Sequence, residues 1–123
     1  DIFLRKKIGW GFGGLSAFTA ETYAAYLSGV SDPATMHGMC EDYRAAASVD
    51  LDHDRADRDA GQKISCPVNV LWGEHGVVNR CFKPIEDWQR VATDVRGKAL
   101  PSGHYIPEEV PEALLAEMMA FFC

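Results

Sequence analysis

His104 stands in Gly103-His104-Tyr105, after the apolar run Ala99-Leu100 and before the acids Glu108-Glu109. A glycine lets the chain turn, so the imidazole is presented on a loop between a strand and a helix. Imidazole is the side chain whose unperturbed pKa lies nearest neutrality, so it can take and return a proton within one reaction cycle. Tyr43 offers a phenol donor in the run Met39 to Ala47; its structural alternative is a core tyrosine whose hydroxyl meets a backbone carbonyl. Trp10 lies among Gly9, Gly11, Gly13 and Gly14, in a loop flexible enough to lie over a cleft or to plug a neighbouring core with its aromatics. That loop lacks the GxGxxG spacing of a dinucleotide site. His53 sits in the charged stretch Asp50 to Ala60, where the acids interleave with arginines and do not converge. A solvated helix face is therefore expected there, not a metal site.

The elements that must position these groups fit in one domain of 123 residues with ordinary globular composition. The net charge of −6 and the absence of a basic block argue against nucleic-acid or anionic-membrane partners. No apolar run is long enough to span a membrane. The start, Asp1 to Lys7, lacks the order of a signal peptide and begins without methionine, so a processed or truncated cytoplasmic chain is expected. Cys40, Cys66, Cys81 and Cys123 form no CxxC pair; they are expected to be reduced thiols, with Cys40 a small core residue.

Hydrophobic periodicity predicts a helix from Thr19 to about Ser28, then a second from Asp32-Pro33 to about Ala47. Asp32 is its expected N-cap and Pro33 its first residue. Its apolar stripe would be Met36, Met39, Cys40, Tyr43, Ala46 and Ala47. The charged stretch 50–60 reads as an exposed helix carrying an Asp54–Arg58 pair. Pro67 to Trp72 reads as a strand buried on both faces and hence parallel, and Val95 to Leu100 as a weaker edge strand. A helix from Pro84 to Ala92 joins them in one βαβ crossover. The last helix, Pro111 to Phe122, would bury Leu114, Leu115, Met118, Phe121 and Phe122, with Glu108, Glu109 and Glu112 at its positive end. Two strands do not make a doubly covered sheet, so the chain is expected to be the C-terminal part of a larger α/β protein or to pair with another chain.

Met39-Cys40-Glu41-Asp42-Tyr43-Arg44-Ala45-Ala46-Ala47, Asp50-Leu51-Asp52-His53-Asp54-Arg55-Ala56-Asp57, Val70-Leu71-Trp72-Gly73-Glu74 and Gly103-His104-Tyr105-Ile106-Pro107-Glu108-Glu109 together resemble the fluoroacetate (haloacetate) dehalogenase branch of the α/β-hydrolases. The resemblance runs from about Lys7 onward. It implies the C-terminal part of an α/β-hydrolase fold: residues 1–62 as the tail of a helical cap, 63–123 as the close of the core. It implies that His104 activates the water that hydrolyses an aspartyl ester, and that Tyr43 hydrogen-bonds the departing halide. Trp10 would line the substrate passage. No cofactor and no metal are implied. The partners implied are a small haloacid substrate and the N-terminal portion of the same fold, and a homodimer is compatible with it.

The position at which many α/β-hydrolases carry their acid is Gly76, which suits this branch, where the acid comes from an earlier strand; Glu74 is then expected to be a structural carboxylate. The chain contains neither a Gly-X-Asp-X-Gly nor a Gly-X-Ser-X-Gly elbow. The nucleophile, its acid partner, the substrate arginines and the cap His-Trp pair would lie before residue 1, leaving this chain catalytically incomplete alone. Another α/β-hydrolase (an epoxide hydrolase or esterase) and a non-catalytic α/β module whose His104 caps a helix are the competing expectations.

Overall fold

The computed structural model describes residues 1–9 and 11–123. Trp10, the expected passage residue, lies outside the described residues. The first half is helical. Helix α1 (Ile2–Ile8) leads through a 3-10 turn (Gly14–Ala17) into α2 (Ala20–Ser31), α3 (Pro33–Ala46) and α4 (Val49–Asp59). The second half runs β1 (Val68–Gly73), α5 (Val77–Cys81), α6 (Pro84–Gln89), β2 (Val95–Leu100), α7 (Ile106–Glu109) and α8 (Pro111–Phe122). Among the described residues no helix is long and apolar enough to cross a membrane.

Local chemistry accounts for the helix starts. The Thr19 hydroxyl accepts from the Thr22 amide at 3.1 Å and caps α2. The Asp32 carboxylate accepts from the Ala34 amide at 3.1 Å and from the Thr35 hydroxyl at 2.9 Å, and Pro33 opens α3 without a donor to lose. These bonds hold the Asp32 carboxyl below its ordinary value, the Ala34 amide contributing most. In α4 every residue is exposed, and the ion pair formed is Arg55–Asp52 at 3.3 Å.

The two strands pair in parallel, Val68 opposite Val95 through Gly73 opposite Leu100, and α5 and α6 make the crossover. Helix α6 stops at Gln89, short of the expected Ala92. Ala92 instead forms a parallel bridge with Ile64 and is almost wholly buried, which extends the pairing upstream of the strands. Helix α8 packs along β2 through Lys98–Glu117 at 2.6 Å and the Arg96 guanidinium over Phe121 at 4.8 Å.

The buried core is small and lies where the two halves meet. Leu4, Ile8 and Phe18 form its cluster, with Ala17, Tyr23, Leu27, Val30 and Tyr105 packed against it, and Ala92 and Leu100 are buried apart from it. Burial corrects several expectations. On α3 only Met36 and Ala45 are partly covered, and Cys40 is exposed, so its stripe is not a core face. On α8, Leu114 and Phe121 are half-buried, while Leu115, Met118 and Phe122 are exposed. Strand β1 is half-buried along Val68–Trp72 instead of covered on both faces. The physical reason is common to all three. An amphipathic stripe states which side of an element is apolar, and burial needs an opposing layer, which these faces do not have here.

Candidate active site

The carboxyl ends of β1 and β2 lie side by side, Gly73 opposite Leu100. The loops leaving them are stitched together. The Glu74 amide donates to the Leu100 carbonyl at 2.8 Å and the His75 amide to the Ser102 carbonyl at 2.9 Å. Gly73 is required: a Cβ there would stand 1.7 Å from the Gly103 carbonyl oxygen. The histidine turn thus folds directly over the end of β1. A Cβ at Gly76 would lie 3.2 Å from the Gly73 oxygen and 3.5 Å from that of Gly103, so this position too is crowded by backbone. Asn79 braces the first loop, accepting from the Trp72 indole at 2.8 Å and donating to the Glu74 carbonyl at 3.0 Å. Glu74, expected as a structural carboxylate, is exposed and bonds through its backbone.

His104 is exposed and borders two adjoining clefts. One, of about 480 Å³, is apolar, with Trp72, Val78, Phe82, Trp88 and Ile106 in its wall. The other, of about 390 Å³, is cationic: Lys6, Lys7 and Arg80 line it with His75, and no carboxylate does. Phe12 stacks on His75 at 4.0 Å between ring centroids and belongs to the same wall. The glycine-rich loop therefore packs against the histidine turn, its Phe12 backbone nitrogen only 2.8 Å from where a Gly103 Cβ would be.

Tyr105 anchors the turn to the helical half. Its ring meets Phe18 edge-on at 5.4 Å and His104 at 5.1 Å, and its hydroxyl donates to the Lys7 carbonyl at 3.2 Å. Burial, then the charges of Glu108, Tyr43 and Glu109, push its phenol above 10.0. Beside it, Tyr26 of α2 donates to the Glu108 carboxylate, which raises the Tyr26 phenol as well.

Glu108 and Glu109 therefore do not begin the last helix. They close α7, and Val110, forced out of helical geometry ahead of Pro111 (φ −143°, ψ 56°), separates it from α8. The Glu109 carboxylate accepts from the Gly103 amide and, at 3.4 Å, from the Tyr105 amide. Ser102 is fully buried and its hydroxyl has no partner among the described residues. Glu109, Ser102 and Tyr26 escaped the sequence reading. A signal for Glu109 was present: an acid four residues beyond the start of a proline-opened turn has nearly capping-box spacing.

Tyr43 is 69% exposed on α3 and lines neither cleft, although it lies close enough to Tyr105 to influence its ionisation. Among the described residues no three of His, Cys, Asp and Glu gather closely enough to hold a metal ion. The arrangement offers an accessible imidazole at the carboxyl end of a parallel sheet, next to positive charge. It can move a proton beside a bound anion.

No protein-family model matches the chain. It is 33% identical over 104 residues to a fluoroacetate dehalogenase of Burkholderia sp., covering 85% of this chain and 34% of the relative. It is 29% identical over 108 residues to a soluble epoxide hydrolase of Corynebacterium sp. strain C12, covering 87% and 35%. The structure superposes on a Nostoc sp. PCC 7120 protein provisionally classed as an α/β hydrolase, with a TM-score of 0.91 and 46% identity over 99% of this chain and 42% of that one. The chain spans about a third of the length of the curated relatives it matches. It has the fold of the C-terminal part of an α/β-hydrolase, and its relatives are hydrolases of that fold.

Proposed function

We propose that the chain supplies the proton-handling half of a hydrolytic dehalogenase acting on a haloacetate-type substrate. Residues 1–62 are read as part of a cap and 63–123 as the close of the core. A carboxylate carried outside these residues attacks the carbon bearing the halogen. The carbon–halogen bond breaks, halide leaves with the electron pair, and an ester links substrate to protein. His104 then removes a proton from water as the water attacks the ester carbonyl, and the ester cleaves to release the hydroxy acid and the carboxylate. Tyr43 donates a hydrogen bond to the halide, where charge develops. Tyr43 lies exposed on α3 outside both clefts, so its role, like the place of Trp10 in the passage, is assigned by resemblance alone.

The observation that carries the reading is the cationic cleft at His104. Lys6, Lys7 and Arg80 line it without a carboxylate, in a chain whose net charge is −6. A haloacetate is an anion, and positive charge concentrates it at the imidazole. An epoxide is neutral and gains nothing from that charge. The likeness to the fluoroacetate dehalogenase supports the same choice. The epoxide-hydrolase alternative is favoured by the Corynebacterium relative and by the apolar cleft on the other side of His104.

The test uses the full-length protein with fluoroacetate, chloroacetate and a styrene-type epoxide. Halide release from a haloacetate is expected. In His104→Ala, turnover should fall by about a hundredfold or more, with one equivalent of halide released and the carboxymethyl group trapped on the protein as an ester. Epoxide opening with no halide release from any haloacid would replace this reading with the alternative.

A further inference from the structure

We infer that the Glu109 carboxylate is the positioning group for His104, holding the turn that carries the imidazole by gripping the backbone on both sides of it. The inference rests on the catalytic reading of His104. The residue before the histidine donates its amide to one Glu109 oxygen, and the residue after it donates to the other at 3.4 Å. The first backbone bonds of α7 keep Glu109 close to the turn: the Glu108 and Glu109 amides donate to the Tyr105 carbonyl at 3.1 and 2.9 Å. The acid thereby satisfies two amides ahead of the helix that would otherwise lack partners.

The surroundings are shaped to admit that carboxylate. Cβ atoms at Gly11, Gly13 and Gly103 would come within 3.3, 3.2 and 3.1 Å of Glu109 side-chain atoms. The glycine-rich loop, which the sequence offers as a cover for a cleft, therefore also makes room for Glu109 against the histidine turn. Glu109 is half-buried, while His104 itself is exposed, and among the described residues its side chain makes no hydrogen bond, its ring only meeting Tyr105 edge-on. Its placement comes from the backbone beneath it. Charge-assisted bonds to amides are strong and directional, and Gln can reproduce only one acceptor of the pair.

The experiment compares Glu109→Gln, Glu109→Ala and His104→Ala in the full-length protein, with pre-steady-state halide release from a haloacetate and a thermal melt for each. If Glu109 positions His104, Glu109→Gln leaves the halide burst at one equivalent per folded site. The slower phase after it falls by roughly ten- to a hundredfold, and KM falls with it while kcat/KM holds. Combined with His104→Ala it adds no further loss. A merely structural role would shrink the burst in proportion to the unfolded fraction and leave the later phase unchanged, and that result overturns the inference. So does an unaltered slow phase in both Glu109 variants while His104→Ala stalls. Full turnover by His104→Ala would remove the underlying reading instead, and is told apart by that variant alone.

Discussion

Single residues show how little freedom the site has. Gly73 is the plainest case, because the Gly103 carbonyl occupies the space of any side chain there. Gly73→Ala should cost about 3 kcal/mol or detach the turn from β1, read as a lowered denaturant midpoint together with lost activity in the full-length protein. A retained midpoint and retained activity would mean that the two loops are not stacked as described. The cationic wall is more forgiving. Lys6 and Arg80 are exposed, so Lys6→Ala and Arg80→Ala should each raise KM for a haloacetate by only about two- to fivefold, with kcat held. The increase should shrink as salt is added, because exposed charges are screened. A KM unaffected by either change would leave the cleft without a role in binding an anion.

At the scale of elements, α3 depends on its first turn. The Asp32 carboxylate is held below its ordinary value of 3.8 by the amide and hydroxyl that it caps. Because the folded value is the lower one, this stabilisation is present above pH 3.8 and is lost as pH falls through the depressed folded value. Asparagine caps nearly as well and does not titrate there. Asp32→Asn should therefore keep the helicity of α3 at neutral pH and blunt its acid loss, followed by backbone amide exchange. The loops after β1 and β2 act as one element, since backbone bonds run from Glu74 to Leu100 and from His75 to Ser102. Tyr105 and Tyr26 then fasten that unit to the helical half through Lys7 and Glu108.

For the molecule as a whole, the balance between covered and uncovered apolar surface governs behaviour. Among the described residues the buried hydrophobic side chains are Leu4, Ile8, Phe18, Ala92 and Leu100, while Trp88, Leu115 and Phe122 are exposed, Phe122 at 74%. A two-stranded sheet with a few buried side chains gives little cooperative stability. Residues 1–123 on their own should melt broadly in circular dichroism and bind a hydrophobic dye before the transition. A sharp two-state melt of the monomer without dye binding would show that this much of the fold suffices alone.

Where a local rule acts, the sequence is already decisive. Asp32-Pro33 specifies a helix start, Pro67 to Trp72 a strand, the interleaved charges of 50–59 a solvated helix, and the glycine before His104 a turn, because capping, proline geometry and charge patterning operate within a few residues. The same locality explains the misses. Ala92 leaves its helix to pair with Ile64, and Cys40 and Leu115 stay exposed, since each outcome depends on what lies opposite. The sequence by itself determined the helical and parallel-strand parts and the imidazole at the end of the second strand. Only the tertiary structure decided how the turn carrying that imidazole seats on the end of the first strand and which charges face it, because those contacts join residues far apart in the chain.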